Sequence, residues 1–395
     1  MINTNEFLVT VVVPTHNRSK YAISCIKSVL EIASEQLQIA VHDTSDDEGL
    51  LRQWAEKQTD PRLKYVHWKE RLSMTDNHER ALDLADGLYV CLIGDDDTVS
   101  SKIIDAAIYA ESKGLTVLSP IIKASYYWPD FRSRFYGDAH AGRIYVEPFD
   151  ARIQSFSVAN HLHRALLLAC QGTEFLPRLY HGLVLRQTLN ELQRSYGKVF
   201  FGTSPDVSAA LLLSLKGGTY HVVDYPFTMP GGAGGSNSGR SASGQHKGNL
   251  NEDAHIKPFR NLVWPDVIPK FFSVETVWAQ AAWDTLLNTQ NDALLEEFNL
   301  ARLYVLCLFR HPAYWRLTTS SWKRARKSEH PKAQVNNFIK ECFKFILERT
   351  RALALRFKDP SPRNGKRVLA VVEDVQLARK ELDDYLSVEA KRIGG

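Results

Sequence analysis

The chain has 395 residues, which suggests about two or three domains. Its 44% hydrophobic and 24% charged residues describe an ordinary globular protein with ample core, and a net charge of +4 gives no electrostatic case for nucleic acid. No run is long and apolar enough to span a bilayer, and Met1-Ile2-Asn3-Thr4-Asn5-Glu6 lacks the basic and apolar regions of a secretory signal.

The first apolar run, 7–13, is β-branched and nearly continuous, the pattern of a central parallel strand. Pro14-Thr15-His16-Asn17-Arg18 ends it, because proline cannot donate to a ladder. Residues 19–33 carry helical spacing, with Tyr21, Cys25, Ile26, Val29 and Leu30 on one face. A second strand is predicted over 38–42, a helix over 50–58 and a third strand over 63–67. A helix over 75–85 follows, with Thr75 or Asp76 as its N-cap and Gly87 as its stop. A fourth strand over 88–93, a helix over 100–112 and a strand over 116–120 complete the alternation. Strand and helix in turn argue for an α/β fold with a doubly wound, Rossmann-like, mostly parallel sheet.

Three polar clusters, 14–18, 43–47 and 95–97, fall at the carboxyl ends of predicted strands. In such a sheet those ends share one edge, where a nucleotide-shaped ligand would touch all three. Gly94 is followed by Asp95, Asp96 and Asp97. Three adjacent carboxylates repel one another and call for a cation; Mg²⁺ or Mn²⁺, with oxygen ligands, is the natural partner. The plainer reading is a solvated acidic turn that caps the next helix. Neither a G-x-G-x-x-G nor a P-loop pattern is present, so any phosphate would be held through a metal.

The 121–200 segment is irregular and rich in aromatics and arginine, as in Tyr126-Tyr127-Trp128-Pro129 and Phe131-Arg132-Ser133-Arg134-Phe135-Tyr136. These suit a sugar or an anion, or an aromatic hairpin packed on the sheet edge. Asp206 opens a strongly apolar helix, 207–215, where the helix dipole favours a carboxylate. Residues 216–224 read as a turn and a strand. The Gly/Ser-rich stretch 231–244 reads as too flexible for regular structure. It is a linker, or a mobile lid that brings Arg240 or His246 near a diphosphate. From about Trp264, helical spacing over 274–287, 292–309, 333–349 and 368–390 predicts a C-terminal helical region, with Trp278, Trp283, Phe298, Leu303 and Phe309 in its packing. The basic run Trp322-Lys323-Arg324-Ala325-Arg326-Lys327 is a solvated face or a contact for an anionic membrane surface. Cys25, Cys91, Cys170, Cys307 and Cys342 are scattered, as in a cytoplasmic protein with reduced thiols.

The strand leading to Pro14-Thr15-His16-Asn17-Arg18, the strand ending at Asp43, Asn77 with Ala85-x-Gly87-x-Tyr89, and Gly94-Asp95-Asp96-Asp97 stand in an order and spacing that resembles a family 2 glycosyltransferase over roughly the first half of the chain. The resemblance implies a GT-A catalytic domain over 1–245, followed by a helical domain over 246–395. It implies an inverting transfer from a nucleoside-diphosphate sugar to a glycan or lipid-linked acceptor, as in bacterial surface polysaccharides, at or near the inner face of the membrane. Pro14, Thr15, Asn17, Arg18 and Asn77 would line the nucleotide site, and Asp43 would hold the base. Asp95 and Asp96 would meet ribose and diphosphate, and Asp96 with Asp97 would hold the metal. Gly94 stands where the family usually has its first aspartate. Asp206 stands where the family carries its catalytic base. Two rivals stay open: a nucleotidyltransferase, which would want a glycine-rich basic loop after the first strand, and a non-catalytic binding scaffold of the same fold.

Overall fold

The structure is a computed structural model that describes residues 7–46, 49–173, 176–244, 247–325, 331–358 and 366–393. Of the residues singled out above, Asp47, His246, Arg326 and Lys327 lie outside the described residues.

The alternating pattern folds into a mixed sheet of eight strands. β1 (Val9–Thr15), β2 (Leu37–Asp43), β3 (Leu63–His67) and β4 (Tyr89–Leu92) run parallel in the order β3-β2-β1-β4. Register pairs Thr15 with Asp43, Asp43 with His67 and Val12 with Leu92. The polar turns after β1, β2 and β4 therefore leave the sheet at one edge. Beyond β4, the strand Leu183–Leu185 runs antiparallel, between β4 and Val117–Pro120. Thr219–Val223 then continues parallel to Val117–Pro120, and Ile153–Ser157 closes the sheet antiparallel. The fold is thus α/β with a mostly parallel sheet. Leu183–Leu185 is too short to announce itself by periodicity.

Helices α1 (Ser19–Leu30), α2 (Leu50–Ala55) and α3 (Met74–Leu82) connect the first strands. α1 buries Ala22, Cys25, Ile26 and Val29 against the sheet, as its spacing requires. Ser73, rather than Thr75 or Asp76, caps α3: its Oγ accepts from the Asp76 N–H at 3.1 Å.

A second, four-stranded sheet stands over the aspartate turn. Its core is the hairpin of Ala124–Tyr127 and Arg143–Val146. Gly231–Gly232 adds to one side in parallel, and Arg367–Val371 to the other side antiparallel. The aromatic segment is mostly packed here: Tyr126, Trp128 and Phe131 are buried, while Phe135 is exposed.

The C-terminal end departs from the helical expectation. Residues 367–371 (Arg-Val-Leu-Ala-Val) form a strand, as a short β-branched apolar run can. The helix Val375–Ile393 then buries Val375, Ala378, Leu382 and Leu386 in the core shared by β1 and α1. The Ser101 N–H donates to Asp383 Oδ1 at 3.0 Å. Residues 366–393, grouped by sequence with 246–395, thus pack on the N-terminal layers. The run 292–309 is also broken, into Asp292–Glu297 and Leu300–Arg310, where Asn299 Oδ1 accepts from the Arg302 N–H at 3.1 Å. The remaining helices include Val274–Asn288, Trp315–Ala325 and Pro331–Lys358. Among the described residues no helix is long and apolar enough to cross a membrane.

Candidate active site

A cavity of about 980 Å³ opens where β1 and β4 end. Pro14, Thr15 and Arg18 line it from the first loop, and Gly94 to Asp97 from the second. Arg18 joins the two loops: its Nε lies 2.8 Å from Asp95 Oδ1 and its Nη2 3.0 Å from Asp96 Oδ2. Thr15 Oγ1 donates to the other oxygen of Asp95 at 2.7 Å. This guanidinium is the first answer to the repulsion that the sequence implied.

The three aspartates are not equivalent. Asp97 is saturated. Its Oδ1 accepts from the Gly231 N–H at 2.6 Å, and its Oδ2 from the Gly94 N–H at 2.7 Å and the Tyr180 hydroxyl at 2.9 Å. His181 Nε2 adds an ionic contact at 3.2 Å. Burial pushes the Asp97 carboxyl up, but His181 and these amides outweigh it and hold the group below its ordinary value. Asp96 is different. Its Oδ2 meets Arg18 and the Ala233 N–H, at 3.1 Å for the latter, while among the described residues its Oδ1 has no protein donor. Burial pushes the Asp96 carboxyl well above the usual carboxylate range; Arg18 opposes the shift, and Asp97 and Asp95 add to it. A buried, under-compensated carboxylate with an oxygen to spare is a fitting ligand for a hard cation. Asp97, placed with the metal by the sequence, has its oxygens committed to the fold. Among the described residues no three acidic, histidine or cysteine side chains converge as a complete cage, so a cation at Asp96 would draw its other ligands from a substrate diphosphate or water.

Gly94 has a steric explanation. A Cβ there would stand 2.7 Å from the Tyr180 hydroxyl and 3.0 Å from Asp97 Oδ2. Tyr180, partly buried beside β4, occupies the room that a side chain at 94 would need.

The Gly/Ser-rich stretch is neither a bare linker nor irregular. Gly231 and Ala233 donate to Asp97 and Asp96, and Ser236 caps the short helix Asn237–Ala242. Glycine is required at 231, where a Cβ would fall 1.8 Å from the Asp96 carbonyl oxygen. Trp128 Nε1 donates to that same oxygen at 3.0 Å. Arg240 lines the cavity and pairs with Asp253 at 2.8 Å.

Asp43 and Asn17 do not line the cavity. Asp43 is buried, its oxygens taken by the Tyr65 hydroxyl at 2.7 Å and the Ser45 N–H at 2.8 Å. Asn17, at φ 54°, ties its N–H to Ser45 Oγ at 2.8 Å and its side chain to Asp46. Both brace the first two loops against each other. Asn77 does line the cavity, but its amide bridges the Thr15 carbonyl at 3.0 Å and His42 at 2.7 Å.

Asp206 lines the same cavity as the aspartate turn. It sits in the first turn of the helix Pro205–Leu215, with proline at the start, and one of its oxygens accepts from the Ser204 hydroxyl. That helix is held by Val207, Ala210 and Leu211 in the cluster containing Ala279, Ala282 and Leu286 of Val274–Asn288. Gln280 Oε1 fixes the preceding loop by accepting from the Thr203 N–H at 2.9 Å. Sequence reasoning missed the further lining residues Tyr180, His181, His255, Arg71 and Trp278. The first four come from loops without periodicity, whereas Trp278 was read from its helical spacing as packing alone; the sole hint for Tyr180 and His181 is their place just before the Leu183–Leu185 strand.

Residues 10–134 match the model of the family "Glycosyl transferase family 2". The putative colanic acid biosynthesis glycosyl transferase WcaA of Escherichia coli K12 is 36% identical over 94 residues, 24% of this chain and 34% of that protein. The glycosyltransferase GlyG of Streptococcus pneumoniae is 25% identical over 100 residues, 25% of this chain and 33% of that protein. The chain thus spans about a third of the length of these curated relatives. Among solved structures, S. aureus TarS 1–349 in complex with UDP-GlcNAc aligns over 86% of this chain and 92% of its own, at 12% identity and a TM-score of 0.44. Over residues 10–134 the chain is thus similar to glycosyl transferase family 2.

Proposed function

We propose that this protein is an inverting glycosyltransferase that moves a sugar from a nucleoside-diphosphate sugar to a hydroxyl of a glycan or lipid-linked glycan, assisted by Mn²⁺ or Mg²⁺. One observation carries the reading: the Asp95–Asp97 turn and Asp206 face a single cavity from separate elements. The family match over residues 10–134 supports a sugar-transfer chemistry, and the name of the WcaA relative supports a surface polysaccharide as acceptor.

In this reading the Pro14–Arg18 loop and Asp95 receive the nucleotide end of the donor. Arg18 holds Asp95 and Asp96 in place without a donor bound. Asp206 takes the proton of the acceptor hydroxyl as that oxygen bonds to the anomeric carbon. The bond from that carbon to the diphosphate oxygen breaks, and its electron pair leaves with the diphosphate. The Ser204 hydroxyl occupies one oxygen of Asp206 and leaves the other for the proton. A divalent cation bound at Asp96 would supply charge to the departing diphosphate. Asp43 and Asn17 set the shape of the first loop rather than contact the donor.

The test is a thermal melt of the full chain with UDP, GDP or dTDP, with and without Mn²⁺. A ligand present at about 100 times its Kd stabilises the native state by about 2.7 kcal/mol. The reading expects a metal-dependent rise with at least one base and its loss in Asp96→Asn. No rise with any of the three in the presence of Mn²⁺ overturns the donor site.

A further inference from the structure

The helix Pro331–Lys358 carries two apolar faces, and among the described residues only one is used by the fold. Phe338, Cys342 and Phe345 join Val305 and Leu306 of Leu300–Arg310, and Phe345 stacks on Phe309 at 4.9 Å. Ile339, Phe343, Ile346, Leu347 and Leu353 point elsewhere, each about half exposed or more, with Phe343 at 65%. Their spacing of four, three, one and six residues places them on one stripe of a 3.6-residue period. Phe309, itself half-exposed, borders the same helix.

The charges that flank this stripe on the helix itself are mostly basic. At about 100° per residue, Lys340, Lys344 and Arg351 fall along one flank and Arg349 along the other. The only acids between 335 and 354 are Glu341 and Glu348. Both meet the buried Arg302, at 3.8 Å and 2.7 Å. Lys344 also pairs with Glu341, at 2.7 Å. Within 335–354 four basic groups thus stand against two carboxylates, and Glu296 and Glu297 border the cavity that Lys340 and Lys344 line. An apolar stripe edged by long cationic side chains is the composition of a helix that lies in the plane of an anionic bilayer surface, with the cations reaching headgroups. A second copy of this face is a poor occupant, because an isologous contact would set the same cations against each other.

We propose that the 339–353 face of this helix docks on an anionic membrane surface. The surface lies on a different helix from the basic run at 322–327, and the inference does not depend on the transferase reading.

The test is co-sedimentation of the full chain with vesicles of phosphatidylcholine alone, or with about one-third phosphatidylglycerol, at low and high salt. The proposal expects partition into the anionic vesicles that salt weakens. It also expects a drop of about tenfold or more in Phe343→Ser with Leu347→Ser. Both residues are exposed, so this variant keeps its melting temperature and its response to nucleotide. That readout separates a failed membrane face from a failed donor site. Three results overturn the proposal: no partition into anionic vesicles, partition unchanged in the double variant, or a dimer in solution that the double variant dissolves.

Discussion

Gly94→Ala is the most informative single change at the aspartate turn. The backbone there is not left-handed, so alanine adds no conformational strain. The cost is steric: the new methyl stands 2.7 Å from the Tyr180 hydroxyl, closer than carbon and oxygen approach. Overpacking of this kind costs about 1–3 kcal/mol. Tyr180→Phe alone removes the 2.9 Å hydrogen bond to Asp97 and costs about 1.5–3 kcal/mol, since the acceptor is charged and buried. Combined, the two changes remove the clash itself, and the nearest remaining contact is Asp97 Oδ2 at 3.0 Å. The double variant is therefore expected to lose less than the sum of the single losses, by about 1 kcal/mol or more. Denaturant unfolding followed by tryptophan fluorescence reads the cycle, because Trp128 donates to the Asp96 carbonyl within the same turn. Strict additivity would refute the claim that Tyr180 occupies the space of a side chain at 94.

Arg18→Gln leaves the buried carboxylates of Asp95 and Asp96 without their cation and is expected to cost about 3 kcal/mol, read in the same unfolding assay. Gly231→Ala forces the backbone off the Asp96 carbonyl and is expected to abolish the nucleotide-dependent rise in melting temperature along with some stability. Acid sensitivity has a specific source in Glu275. Burial pushes its carboxyl up, but hydrogen bonds from His311 and Arg310 outweigh it and hold the group down to about 2. A carboxyl lowered on folding contributes stability above its unfolded value, near 4.5, and loses it as pH falls toward about 2. About 3 kcal/mol is involved. Glu275→Gln should flatten the stability profile in that window, and an unchanged acid slope would count against the assignment.

The sheet was legible because buried parallel strands are written as continuous apolar runs. Residues 7–13 and 88–93 could hardly be anything else, and the turns after them carried the polar clusters to one edge. What the sequence hides is the difference among neighbours of the same type. Asp95, Asp96 and Asp97 look alike in sequence; they are told apart by Thr15, Arg18, Tyr180 and the Gly231 amide, brought from far along the chain, and by the adjacent Gly94 amide. The stretch 231–244 reads as flexible by its glycines, yet at 231 and 239 glycine is present because another backbone passes too close for a Cβ. Asp43 shows a tie that the sequence hides. A carboxylate after a strand looks poised for a ligand, but Tyr65, one strand over, takes its oxygen. The strand Arg367–Val371 was absorbed into a helical run because five residues decide little by period, and its partner at 143–146 lies over two hundred positions away.

The central claim is that Asp96 and Asp206 serve one reaction from one cavity with separate tasks. The most direct measurement is sugar transfer and nucleotide-dependent melting in Asp206→Asn and Asp96→Asn, with the donor that the melts select. The account expects Asp206→Asn to keep the melting response and to lose transfer by about 10²–10⁴-fold, and Asp96→Asn to lose both. Full transfer in Asp206→Asn, or an intact metal-dependent melting response in Asp96→Asn, would contradict it.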